Sequence, residues 1–160
     1  MSDDGGNPLA VSDGDGTIAD PDGVQLLSAP LRFDGRRDRG TNAMLDVSAP
    51  DGKSIGEVRV KKFSVTPRSS KATLSLGAAG AELATLEPED KKGEELAITA
   101  GDARVGTLRK KAKKGFIRTT TAYRLELVGD VDEQTRRLIV AAAIRYQALL
   151  SGAATAGRTT

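Results

Sequence analysis

One stretch near the C-terminus, residues 138–150, is apolar almost all the way round and limits the fold more than any other part of the chain. Only Arg145 and Gln147 interrupt it. Asp130 and Glu133 upstream are typical of a helix start, and Gly152 is typical of a helix end, so the pattern predicts a helix over residues 131–151. A helix that is apolar on all sides is buried, either in lipid or in protein.

Lipid is the less favourable of these two environments. A membrane span needs about twenty mostly apolar residues, whereas Arg145 breaks this run after seven residues, at a cost of several kcal/mol at mid-depth. We therefore predict no transmembrane span. Burial in protein requires a surface that surrounds the helix, and a closed β-barrel covers all of its faces.

The hundred residues before the helix have the pattern of short antiparallel strands. In SIGEVRVKK (54–62), apolar residues alternate with charged ones, and Pro, Asp and Gly mark turns at 50–52 and 101–102. The pattern predicts a mainly β fold with one helix, a closed antiparallel barrel around the buried C-terminal helix.

A weak internal repeat relates SIGEVRVKK to RVGTLRKKA (104–112), with ELATLE (82–87) as a looser copy. Duplication and convergent hairpin chemistry both explain it. In either case Gly56 and Gly106 mark positions where two backbones pack closely.

The ends of the chain differ from its middle. Residues 1–23 are acidic and rich in Gly and Asp, and we expect them to form a disordered tail before a domain at 24–152, with a second disordered tail at 153–160. Residues 1–30 carry six Asp and no basic residue, a net charge of −6. The remaining 24 basic and 16 acidic residues give 31–160 a net charge of +8, which favours an anionic partner.

The composition excludes several kinds of chemistry. The chain has no Cys and no His, which excludes disulfides, thiol nucleophiles, imidazole catalysis and the usual zinc sites. The stretch SDGDGTIADPDG is similar to a calcium loop, but Val11 stands where the first carboxylate ligand belongs. We expect no enzymatic activity, no metal and no cofactor, and a cytoplasmic protein.

Basic residues form the clearest functional pattern. Eight lie between Ala103 and Leu125 with no acidic residue among them, and five lie between Val58 and Ala81. If the two repeat copies are close in space, these residues form one positive face. The alternative is a solvated hairpin whose lysines prevent aggregation. The candidate lipid- or anion-binding residues are Arg59, Lys61, Lys62, Arg109, Lys110, Lys111, Lys113 and Lys114.

The order of these motifs resembles a known family. Asp51-Gly52 precedes Ile55-Gly56, Val105-Gly106 follows, and YRLEL (123–127) leads through Gly129-Asp130 into the helix. Over residues 24–152 this order resembles the LURP-one-related and phospholipid-scramblase-like proteins of the Tubby C-terminal-like superfamily. The resemblance implies about twelve strands around the helix, and a barrel mouth or a buried polar partner for Arg145 and Gln147. It also implies phosphoinositide binding of the Tubby type.

Scramblase activity is not implied, because this chain lacks the cysteines that are lipidated in animal scramblases. We predict a non-enzymatic module that binds anionic phospholipid or a membrane surface, peripherally at the membrane. The alternative is a scaffold for a protein or ligand partner. Nucleic acid is a less favoured partner, because few aromatic residues lie among the basic ones for base stacking.

Overall fold

The computed structural model describes residues 11–12, 16–20, 22–33, 43–66, 69–90, 94–114 and 119–158. Within these ranges the chain forms eleven strands followed by one long helix. The strands are β1 (Val11–Ser12), β2 (Thr17–Ala19), β3 (Gln25–Ser28), β4 (Leu31–Phe33), β5 (Ala43–Ser48), β6 (Ser54–Thr66), β7 (Ser69–Ala78), β8 (Ala81–Pro88), β9 (Glu95–Ala100), β10 (Ala103–Lys114) and β11 (Thr119–Leu127). The helix is α1 (Glu133–Arg158).

All strands belong to one antiparallel sheet in the order β1-β2-β3-β5-β6-β7-β8-β9-β10-β11, with β4 also paired to β5. The prediction of a mainly β fold with a C-terminal helix is confirmed. The prediction of a closed barrel is wrong, because β1 and β11 end the sheet order and do not pair with each other. The sheet is an open one, with eleven described strands where the resemblance implied about twelve.

The open sheet still encloses most of the helix. α1 packs mainly on β5, β6 and β7, and it also contacts β1, β4, β8 and β11, so the sheet curves around it. Leu138, Ile139 and Tyr146 are buried, whereas Val140 and Ile144 are only partly buried on the remaining stripe. A curved open sheet is therefore sufficient to bury a helix that is apolar nearly all round.

The inner face of the sheet follows from the period-two pattern. Val60, Leu74, Leu86 and Ile98 stand opposite one another on β6, β7, β8 and β9, and all four are fully or almost fully buried. This row shows how aliphatic residues build the core in a chain with only three Phe and two Tyr.

The folded part begins earlier than residue 24, where we expected it. β2 pairs with β3, and Ile18 within β2 is fully buried. At Gly16 a Cβ would lie 2.6 Å from the Ala29 carbonyl oxygen, and the backbone has φ +91°, so glycine is required there. The acidic, polar composition of residues 1–23 predicted a tail, although Ile18 within that segment is part of the core.

The helix also differs from its predicted bounds of 131–151. Asp132, rather than Asp130, caps it, because its Oδ1 accepts a 2.7 Å hydrogen bond from the Thr135 backbone N–H. That bond is the main reason that the pKa of Asp132 is lowered, and a hydrogen bond from the Thr135 side chain lowers it further. At the other end the helix continues past Gly152 to Arg158, so residues 153–158 are helical and not the disordered tail that we expected. The alanines among these residues have a high helix propensity, so the helix continues past Gly152.

Arg145 has a buried polar partner, one of the two surroundings that the resemblance implied for it. Its Nε donates a 3.2 Å hydrogen bond to the Ala29 carbonyl oxygen, and the residue is 8% exposed. Gln147, in contrast, lies at the surface. Within the described ranges, the structure contains no helix with the length and hydrophobicity needed to cross a membrane.

Candidate anion-binding site

The two repeat copies lie on β6 and β10, and each uses its glycine in the same way. A Cβ on Gly56 would lie 2.4 Å from the Gly77 carbonyl oxygen, and one on Gly106 would lie 2.3 Å from the Glu126 carbonyl oxygen. Since real Cβ atoms do not approach an oxygen so closely, each position needs glycine for the neighbouring strand to come near. The prediction of close backbone packing at Gly56 and Gly106 is confirmed.

Two long hairpins extend beyond the rest of the sheet at one end. β8 and β9 stop pairing at Pro88 and Leu96, but β6–β7 pairing continues to Thr66 opposite Ser69. β10–β11 pairing continues to Lys114 opposite Thr119. We call this the basic end of the sheet, formed by 61–66 with 69–73 and by 109–114 with 119–124. It carries seven of the eight candidate residues, namely Lys61, Lys62, Arg109, Lys110, Lys111, Lys113 and Lys114.

The two basic segments share an end of the sheet but are not adjacent. Strands β7, β8 and β9 separate β6 from β10, which is about 19 Å along the sheet at the usual strand spacing. One continuous positive face on neighbouring strands is therefore not formed. The candidate residues therefore lie in two separate groups at the basic end, one on β6 and one on β10.

The arginines in these segments are paired with carboxylates. Arg59 Nε lies 2.8 Å from Glu57 Oε1, and Arg109 Nε lies 3.4 Å from Glu95 Oε1 on the adjacent strand. The same is true of the pairs Arg104–Glu89 and Arg124–Glu126. Glu57 and Glu126 lie two residues from their arginines on the same strands, whereas Glu95 and Glu89 come to Arg109 and Arg104 from other segments of the chain, which the local sequence did not reveal.

The lysines of β6–β7 are less neutralised than the arginines. A β-bulge between Val60 and Lys62 places two successive residues, Lys61 and Lys62, at the surface. Lys61 Nζ is 3.8 Å from Glu82 Oε2, at the long limit of an ion pair. Among the residues that the structure describes, Lys62 and Lys71 have no carboxylate partner.

These lysines border a shallow depression of about 550 Å³. Three lysines against one glutamate give its lining a net charge of +2, and its floor includes apolar groups. An ammonium group offers three donors and acts on phosphate as a point charge. The lining residues are Lys61, Lys62, Phe63, Ser64, Lys71, Ala72, Thr73, Glu87 and Pro88.

Tyr146 fixes the floor of this depression from the helix side. Its hydroxyl accepts a 3.0 Å hydrogen bond from the Ala72 backbone N–H and is 3.4 Å from the Ala72 carbonyl oxygen. Burial raises the pKa of Tyr146, and the Ala72 hydrogen bond opposes that shift only in part. The bond holds β7 beside Lys71. The signal in the sequence for this contact is a lone tyrosine within an apolar helix.

The β10 lysines have a less complete description. Lys110, Lys111, Lys113 and Lys114 lie on a long strand paired with β11, but their side chains lie outside what the structure describes. Their role in binding stays a prediction. No group of three or more carboxylates in the described ranges is placed to hold a metal ion.

Comparison of the chain with protein-family models, with curated proteins and with solved structures gave no match. The resemblance to LURP-one-related and scramblase-like proteins therefore stays a prediction.

Proposed function

We propose that the protein is a non-enzymatic binding module that recognises anionic phospholipid at a membrane surface through the basic end of its sheet. The observation that carries this proposal is the depression beside Lys62 and Lys71, two cations without a carboxylate partner among the described residues. Lys110, Lys111, Lys113 and Lys114 are residues of β10 at the same end of the sheet.

The magnitudes favour a reversible interaction. A lysine near an anionic leaflet contributes about 1 kcal/mol, and this contribution falls off within a Debye length of about 8 Å at physiological salt. Several lysines together give salt-sensitive binding. Arg59 and Arg109 contribute less, because Glu57 and Glu95 already offset their charges.

The resemblance to Tubby C-terminal-like proteins supports the same ligand class. Tubby-type domains bind phosphoinositides, whose headgroups carry several phosphates. A depression with three lysines and an apolar floor suits such a headgroup, since the acyl chains remain in the bilayer.

Co-sedimentation with vesicles tests the proposal. The full chain is mixed with vesicles of neutral phosphatidylcholine alone, and with vesicles that also contain phosphatidylserine or a phosphoinositide, at low and at physiological salt. A variant with Arg109, Lys110, Lys111, Lys113 and Lys114 changed to Ala is run beside it. We expect binding to anionic vesicles only, weaker at higher salt and reduced in the variant.

Two results would reject the proposal. Equal binding to neutral and anionic vesicles would show that charge does not select the surface. No binding at either salt concentration would mean that the lysines are solvated surface. It would favour the alternative, a scaffold for a protein or ligand partner. Competition by inositol phosphates and by a short DNA duplex separates a headgroup-specific site from a general polyanion site.

A further inference from the structure

β11 forms one edge of the open sheet. Its inner side pairs with β10 over nine residues, from Thr119 to Leu127, and no other described strand pairs with its outer side. An edge of this length presents a row of backbone donors and acceptors to which another strand can add. The opposite end of the sheet order is different, because β1 has two residues within the described ranges.

The charged residues of β11 match those of a second, antiparallel copy of the same strand. Arg124 and Glu126 stand two residues apart, form an ion pair of 3.1 Å within the chain, and have side chains 41% and 39% exposed. In an antiparallel pair of two β11 strands centred on Leu125, Arg124 stands opposite Glu126 of the partner subunit, and Glu126 stands opposite the partner's Arg124. Opposite charges in facing positions stabilise a strand pair.

The same register covers an exposed apolar residue. Val128 directly follows β11 and is 80% exposed, more than the other exposed large hydrophobic residues of the described chain. Pairing centred on Leu125 brings Val128 opposite residue 122 of the partner subunit, and the two-fold axis gives both copies of Val128 the same partial cover. A second copy of β11 has the same length, matching charges and the same apolar residue at its end. These features favour a second copy of this chain over an unrelated peptide as the partner of this edge.

We propose that the outer edge of β11 is an interface for a second copy of this chain, added antiparallel about a two-fold axis at Leu125. The paired segment runs from residue 122 to Val128, so it borders the basic end of the sheet but includes none of the candidate lipid-binding residues. The proposal therefore does not rest on the proposed lipid binding, and the two proposals can fail separately.

Charge exchange at the two facing positions tests this register. The variants are Arg124→Glu, Glu126→Arg and the double exchange, with Arg137→Glu as a control that reverses an exposed ion-paired arginine on α1. Sedimentation equilibrium over a wide concentration range measures self-association, and circular dichroism checks that each variant is folded.

We expect a wild-type dimer whose dissociation constant rises about tenfold or more in each single variant, because each places two like-charged pairs across the axis. A one-to-one mixture of the two single variants should form a heterodimer, since the two carboxylates at positions 124 and 126 of one chain then face two guanidinium groups of the other. The double exchange and the α1 control should dimerise like the wild type.

A wild-type chain that stays monomeric at all concentrations would overturn the proposal. So would single variants that dimerise normally, or a mixture that fails to associate. If the single variants do not fold, the wild type and the double exchange decide the matter, because both must then dimerise with similar affinity.

Discussion

The β6–β7 and β10–β11 hairpins start from similar sequences but end in different surroundings. Each has a glycine against a neighbouring carbonyl group and each extends to the basic end of the sheet. β6–β7 lies in the middle of the sheet under α1, where Leu138 packs against Gly56 and Tyr146 binds Ala72. β10–β11 lies at the edge, where Leu127 packs against Gly106.

The comparison shows which properties follow from the repeated sequence and which follow from the position of a hairpin in the sheet. The repeated glycine fixes how closely two strands approach, and it does so in both hairpins. Position in the sheet decides whether the hairpin is held by the helix. The charge pairing follows residue type instead, because arginines of both hairpins have acidic neighbours, as Arg59 has Glu57 and Arg109 has Glu95. Lys62 and Lys71 have no such partner in the described part of the chain.

The largest effect on stability is expected where the helix meets the central hairpin. Leu138 is fully buried, so Leu138→Ala should lower the free energy of unfolding by about 3 kcal/mol. Leu127 is only partly buried, so the matched change Leu127→Ala should cost about 1 kcal/mol. Chemical denaturation measures both. Equal losses would contradict the contrast between centre and edge.

The two glycines give the next contrast. Gly56→Ala forces a Cβ against the Gly77 carbonyl of β7, which β8 and Tyr146 hold in place, and should cost about 2–3 kcal/mol. Gly106→Ala meets the Glu126 carbonyl of β11, an edge strand that can shift outward, and should cost about 1 kcal/mol. A larger loss at Gly106 than at Gly56, measured by thermal unfolding, would mean that the edge is the more rigid hairpin.

Tyr146→Phe tests the bond that ties only the central hairpin to the helix. It leaves the buried Ala72 N–H without its acceptor, so we expect a loss of about 1–2 kcal/mol near neutral pH. The raised pKa of Tyr146 adds a dependence on pH. The unfolded chain ionises this phenol near pH 10 and the folded chain does so only at higher pH, so the stability of the native protein falls as pH rises above about 10.

Unfolding midpoints measured between pH 8 and pH 11 check this expectation. The difference in midpoint between the wild type and the Tyr146→Phe variant should shrink as the pH rises above 10. A constant difference across that range would show that the phenol does not ionise with unfolding.

Much of the fold could be predicted because it depends on local pattern. Alternation in 54–62 placed Val58 and Val60 inside, and the apolar run 138–150 required a surrounding sheet. Closure could not be predicted from the same pattern, because a curved open sheet buries nearly the same helix surface as a barrel. Ile18 was missed because a single residue anchors β2 in a segment of otherwise polar composition.

The candidate site was predictable only in part for a related reason. Basic residues could be counted along the chain, but some of their acidic neighbours come from other strands, as Glu95 does for Arg109. The bulge that exposes Lys61 and Lys62 together also depends on pairing with β7. Charge in the sequence therefore located the two segments, and the sheet register decided which cations remain unneutralised.

The central claim is that the weakly paired or unpaired lysines of β6–β7, rather than the closely ion-paired arginines, bind the anionic surface. Two triple variants with equal charge change test it by titration with anionic vesicles, one with Lys61, Lys62 and Lys71 changed to Ala, the other with Arg59, Arg104 and Arg109 changed to Ala. At about 1 kcal/mol per lysine, the first should weaken binding on the order of a hundredfold, and the second by less than about tenfold. Equal weakening in both variants would contradict the claim, because binding would then follow net charge alone.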